Sequence, residues 1–141
     1  MTQAPAHKGL YDPDLKVPAL LGTQCGQCST NFFPPLAVGC ERCGHAELTP
    51  VTLAAAGKVH ATATVHLHQG KDIKAPFTVA EIELDDGPLI RALLTEVTDD
   101  DVIGVRAAGE WVCIEQNEDG QDVVEPRFRL VREDVMEAAS A

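Results

Sequence analysis

Aromatic residues make up only 4% of this 141-residue chain, so a core must be assembled mainly from valine, leucine, isoleucine and alanine within an apolar share of 45%. No apolar run approaches the ~20 residues that a membrane-spanning helix needs. The first residues, MTQAPAHKGLYDPD, lack the basic-then-apolar pattern of a secretory signal, so a cytoplasmic setting is expected. Cations are scarce, with 11 Lys and Arg against 22 Asp and Glu and a formal net charge of −11. Such a chain repels phosphate backbones unless its few cations are gathered in one place. Membrane, secreted disulfide-scaffold and collagen-like classes are excluded, no repeat of fixed period is present, and general nucleic-acid binding is disfavoured.

The charge is uneven. Residues 1–80 carry a net charge of +1 and all five histidines, whereas residues 81–141 carry −12. Asp99-Asp100-Asp101 and the stretch from Glu115 to Glu125 hold much of the acid. They fit a solvated face or a surface that docks onto a basic partner.

Residues 1–10 look like a loose tail, and residues 11–24 suit a short helix or an extended arm, since Pro13 and Pro18 forbid a long helix. From Val59 to His68 apolar and polar residues alternate strictly, with Val59, Ala61, Ala63, Val65 and Leu67 on one side and His60, His66 and His68 on the other. That pattern predicts a half-buried strand. Further strands are expected over 77–85, 89–95, 110–116 and about 121–131, with turns at Asp85-Asp86-Gly87-Pro88 and Glu118-Asp119-Gly120. Pro126 puts the last strand at an edge or a bulge. Residues 98–108 suit a short helix or a loop, and residues 133–141 a fraying turn or two. Five short strands in about 80 residues suggest a small closed barrel, because an open sheet would leave edges that so short a chain can hardly cover. The five-stranded OB-fold is the natural candidate, with another small sandwich as the alternative.

Four of the five cysteines fall into two C-x-x-C pairs, Cys25–Cys28 and Cys40–Cys43. Each pair bends its backbone so that both sulfurs face one point, and two such knuckles place four thiolates at tetrahedral corners. A shell of four protein ligands leaves no open coordination position, so the metal is expected to be structural. Zinc and iron both suit four sulfurs. Cys113, between Val112 and Ile114, reads as an inert core residue. The three strand histidines fit a polar outer face or a ligand site, and His45 is a possible extra ligand that a four-cysteine shell does not need. No nucleophile with a placed base can be recognised.

The order of these parts resembles the zinc-ribbon/OB-fold family of acyl-CoA-associated proteins, long catalogued as a domain of unknown function. Its carriers are the two knuckles, Phe33-Pro34-Pro35 between them, Gly44 after the second, Gly57-Lys58-Val59, the run Pro76 to Asp85, Gly87-Pro88, Ile103-Gly104 and Pro126-Arg127-Phe128-Arg129. The likeness spans about residues 11–130, and it departs from the family pattern at Ser29, at the residue after Cys40 and at Ala107-Ala108-Gly109. It implies a mainly β protein with an N-terminal tail and short helical arm (1–24), a rubredoxin-like zinc ribbon (25–50), a five-stranded OB-fold barrel (51–132) and a C-terminal tail (133–141). It also implies structural Zn2+ on Cys25, Cys28, Cys40 and Cys43. The expected role is that of a non-catalytic accessory subunit, in a heterotetramer or larger assembly with a thiolase-like catalytic subunit that makes or breaks carbon–carbon bonds in acyl-CoA.

Coenzyme A phosphates would need cations, and Lys58, Lys71, Lys74 and Arg91 are the candidates, with Lys71 and Lys74 in the Gly70–Pro76 loop. The plainer reading is surface cations for solubility. A single-stranded nucleic-acid-binding ribbon protein is the main alternative function. It would need a basic groove with stacking aromatics, and this barrel offers only Phe77, Trp111 and Phe128 in an acidic setting. An iron electron carrier would leave the long barrel without a purpose.

Overall fold

The computed structural model describes residues 3–69 and 74–131. Its strands are β1 (Gln3–Pro5), β2 (Ala19–Cys25), β3 (Asn31–Phe32), β4 (Leu48–Ala54), β5 (Ala56–Val65), β6 (Phe77–Leu84), β7 (Leu89–Leu93), β8 (Arg106–Gln116) and β9 (Asp122–Val131). They form a sheet of order β1-β9-β8-β5-β6-β7 and a smaller sheet of order β3-β2-β4. The C-terminal tail expected at 133–141 lies outside the described residues.

The helical arm expected before the first knuckle is not formed, and no helix occurs among the described residues. Residues 12–18 run as turns, Tyr11 bridges to Leu20, and β2 pairs with β4 from Ala19↔Ala54 to Cys25↔Leu48. Pro13 and Pro18 each remove an amide donor and disfavour helical geometry in the residue before them. Pairing with β4 then satisfies the backbone that a helix would have satisfied internally.

Strands β5 to β9 make the five-stranded barrel. Neighbours are antiparallel, and the seam between β7 and β9 is joined by the parallel bridge Leu94↔Phe128 and by Thr95 N–H donating to the Phe128 carbonyl at 2.9 Å. Inside lie Val59, Ile82, Leu84 and Phe128, together with Leu20 of β2 and Leu53 of β4. The two sheets thus share one core. Gly57 stands where β5 crosses β6 so closely that a Cβ would strike the Glu83 carbonyl, which explains a glycine at that corner.

The alternation expected over 59–68 is broken by a bulge between Val59 and Ala61. Because strand side chains have a period of two, one extra residue at His60 reverses the inward set. Val59 is buried, but Ala63 is exposed and Thr64 turns in to meet the wholly buried Thr78 at 2.9 Å. Leu67, past the strand end, is 92% exposed. Residues 98–105 contain no helix, and β8 begins at Arg106, where β5 offers three partners that sequence periodicity does not show.

The Asp85-Asp86-Gly87 turn ties the sheets together. Arg106 donates to both Asp85 carboxylate oxygens at 2.7 and 2.9 Å. The Asp86 carboxylate accepts from Ala54 N–H at 3.0 Å, and its carbonyl accepts from Asn31 Nδ2 at 2.9 Å.

Candidate metal centre

The two knuckles meet as their spacing predicts. Sγ of Cys25 lies 3.5 Å from that of Cys43, Sγ of Cys28 lies 3.6 Å from that of Cys40, and all four sulfurs fall within 4.8 Å of one another. A tetrahedral shell with metal–sulfur bonds of ~2.3 Å has sulfur–sulfur edges of about 3.8 Å, so the group fits one zinc ion. The separations are too long for disulfides, which hold sulfurs at about 2.05 Å.

Backbone amides complete the shell. N–H groups of Gln27 and Cys28 donate to Cys25 Sγ at 3.3 and 3.4 Å, and those of Arg42 and Cys43 donate to Cys40 Sγ, each at 3.3 Å. Cys25 and Cys40 are buried, while Cys28 and Cys43 are exposed. The Thr30 hydroxyl and then its N–H draw the Cys28 thiol down to about 6. Cys43, although a backbone hydrogen bond from His45 lowers it, is pushed up to about 12 by partial desolvation of its thiol and by the other three thiols. Four crowded thiols cannot all ionise alone, and a divalent cation among them removes the conflict.

The knuckles close by the same turn. Ser29 N–H donates to the Cys25 carbonyl at 3.1 Å and Gly44 N–H to the Cys40 carbonyl at 3.0 Å. Both residues adopt positive φ, 63° at Ser29 and 81° at Gly44. His45 joins the site through its backbone, its carbonyl accepting from Cys40 N–H at 2.8 Å. Thr30, whose hydroxyl is 3.1 Å from Cys28 Sγ, was not singled out by the spacing rule, which reads cysteines alone.

Other residues fall as follows. Phe33 packs against the barrel core and Phe32 is half-buried, so the exposed apolar part of the ribbon loop is Pro34, Pro35, Ala37 and Val38. The three strand histidines do not share a face: His60 is the bulge residue, His66 stands 3.9 Å from Asp99, and His68 meets Phe77 edge-on. Cys113 is exposed, not buried, because β8 and β9 project beyond the barrel there.

Among the proposed cations, Lys58 lies opposite Glu83 at one end of the β5–β6 ladder, and Lys74 precedes β6 at the other. Arg91 holds Glu81 at 3.1 Å and lines a cleft of about 270 Å³ among Leu10, Tyr11, Phe33, Ile90 and Phe128. Lys71 lies outside the described residues.

Comparison with known proteins gives this architecture a family. Residues 14–49 match the family model described as the rubredoxin-like zinc ribbon domain of ChsH2, and residues 50–112 match its C-terminal OB-fold domain. A DUF35 domain-containing scaffold protein of Methanocaldococcus jannaschii is 34% identical over 109 residues, covering 74% of each chain. The chain belongs to the DUF35 zinc-ribbon/OB-fold family. Among solved DUF35 structures, a chain of the Ltp2-ChsH2(DUF35) aldolase is similar at 26% identity and a TM-score of 0.63, covering 79% of this chain and 84% of that one. Cys25, Cys28, Cys40 and Cys43 all lie inside the matched ribbon.

Proposed function

We propose that this DUF35 protein is a non-catalytic, zinc-stabilised accessory subunit of a thiolase-superfamily enzyme that makes or breaks carbon–carbon bonds in acyl-CoA. The observation that carries the reading is the likeness, over most of both chains, to a subunit of the Ltp2-ChsH2(DUF35) aldolase. The chemistry of the chain agrees, since its one recognised thiolate cluster is a closed four-sulfur shell suited to holding structure. The exposed loop Pro34 to Val38, with Val38 91% exposed, offers apolar surface that a partner would bury. Stable assemblies of this kind bury ~2,000 Å² or more.

The test is co-purification of the tagged chain from its own cells, identification of the bound protein, and acyl-CoA turnover with and without it. The expected result is a thiolase-like protein in a heterotetramer or larger complex, no turnover by the small chain alone, and a sharp rise on mixing. A monomer that captures no such protein and binds single-stranded DNA or RNA with a steep salt dependence would replace this reading with the nucleic-acid one. A coenzyme A contact through Lys58, Lys71, Lys74 or Arg91 belongs to the same proposal. Lys71→Ala/Lys74→Ala should then raise the KM of the complex for its acyl-CoA, and an unchanged KM removes these two lysines from the site.

A further inference from the structure

The hairpin of β8 and β9 outgrows the barrel. Strand β5 pairs with β8 only at Arg106, Ala107 and Ala108, and the Gly109 N–H then donates to the Ala55 carbonyl at 2.7 Å. Beyond that point Glu110 to Gln116 pairs with β9 alone among the described residues. The direction of the Gly109 amide, away from β9, sets the direction of its neighbours. In an antiparallel strand, residues two apart point their N–H and C=O the same way. Trp111 and Cys113 therefore aim both backbone groups outward. Pro126, which has no N–H, sits opposite Trp111, as that pattern requires.

The root of this edge carries an apolar shelf. Trp111 Nε1 donates to the Leu15 carbonyl at 2.7 Å, and Pro18 lies against Gly109. The loop between them exposes Leu15 and Val17, the latter at 74%. The flank is acidic, with Glu110, Glu115, Glu118, Asp119 and Asp122 and no Lys, Arg or His from Ala107 to Pro126, while Arg127, opposite Glu110 on β9, holds Glu125 at 2.8 Å.

We propose that the Glu110–Gln116 edge of β8 is a strand-addition site for an extended segment of another polypeptide that carries lysine or arginine at alternate positions. A second copy of this chain is a poor occupant. Two such edges side by side would bring the β8 glutamates together while Arg127, the cation opposite Glu110, is held by Glu125 at 2.8 Å, and like charges across a strand pair are destabilising. The acids thus block self-pairing. Their complement is a basic strand, which gains backbone hydrogen bonds at Trp111 and Cys113 and charge pairing at Glu110 and at Glu115, which the bulge at Ile114 returns to the same face. This surface is separate from the metal centre, and the inference does not depend on the partner's being a thiolase.

The test uses the full chain and three short labelled peptides: one alternating lysine with valine, its glutamate counterpart, and the lysine peptide N-methylated on alternate amides. The lysine peptide should bind, and it should shift the amide resonances of Trp111 and Cys113. The glutamate and N-methylated peptides should each bind at least about tenfold more weakly. Cys113→Pro removes one outward amide without touching the β9 pairing, and should weaken the lysine peptide similarly at unchanged circular dichroism. Glu110→Lys/Glu115→Lys should invert the charge preference, and it decides the matter if the proline variant fails to fold. Binding that ignores N-methylation, resonance shifts confined to other residues, or concentration-dependent dimerisation lost in Cys113→Pro would overturn the proposal.

Discussion

Ser29 occupies, in the first knuckle, the position that Gly44 holds in the second, and both have positive φ. A side chain in that region is strained, typically by about 1 kcal/mol or more, and glycine removes the strain while adding some freedom to the unfolded chain. Ser29→Gly should therefore raise the stability of the metal-loaded protein by up to about 1 kcal/mol, read as a higher Tm with unchanged metal content. A fall in Tm would mean that the serine side chain contributes more than its backbone costs. Asp85 gives a pH signature. Hydrogen bonding to Arg106 holds its carboxyl below the ordinary value of 3.8. A depressed folded value means that the pair stabilises the protein above that ordinary value, and that the contribution is lost as pH falls through the depressed one. Both side chains are about half exposed, at 46% and 48%, so solvent screening limits the effect to about 1 kcal/mol or less. Asp85→Asn should lower the denaturation midpoint slightly at neutral pH, by an amount that shrinks as pH falls below the ordinary value of 3.8. A loss that stays the same as the pH falls would assign the effect to the turn geometry instead.

The ribbon and the barrel are separate elements in the sequence but not in their packing. Leu20 and Leu53 belong to the small sheet and lie in the same core as Val59, Ile82 and Phe128. Asn31 reaches from the ribbon to the Asp86 carbonyl. Losing the metal should thus be felt beyond the knuckles. Structural zinc in four-ligand sites has an apparent worth of ~10–16 kcal/mol at neutral pH. Cys28→Ser or Cys43→Ser, or a strong chelator, should unfold the ribbon and lower the melting temperature of the barrel strands in the same transition. Elemental analysis of the intact protein should give one zinc per chain. Iron in place of zinc would contradict the assignment, and an unchanged barrel Tm after zinc loss would contradict the shared core.

Across the whole molecule, the net charge of −11 is weighted toward the barrel half. Phe128, one of its few aromatics, is buried and has no ring face to offer a base. Single-stranded DNA should therefore show no saturable binding at physiological salt, measured by fluorescence anisotropy. Tight binding would show that the electrostatic argument fails. The cysteine spacing named the four thiols that the fold brings together, and the turn residues at Asp85 to Gly87 and Asp119-Gly120 marked two hairpins, because knuckles and tight turns are set by neighbours in the chain. The bulge at His60, the strand in place of a helical arm and the exposure of Cys113 were not legible, since each depends on a partner strand remote in sequence. A period of two shows that a strand has two faces. Which face is inside, where an extra residue reverses it and how far a hairpin outruns its neighbours are settled when distant backbones pair and close one core.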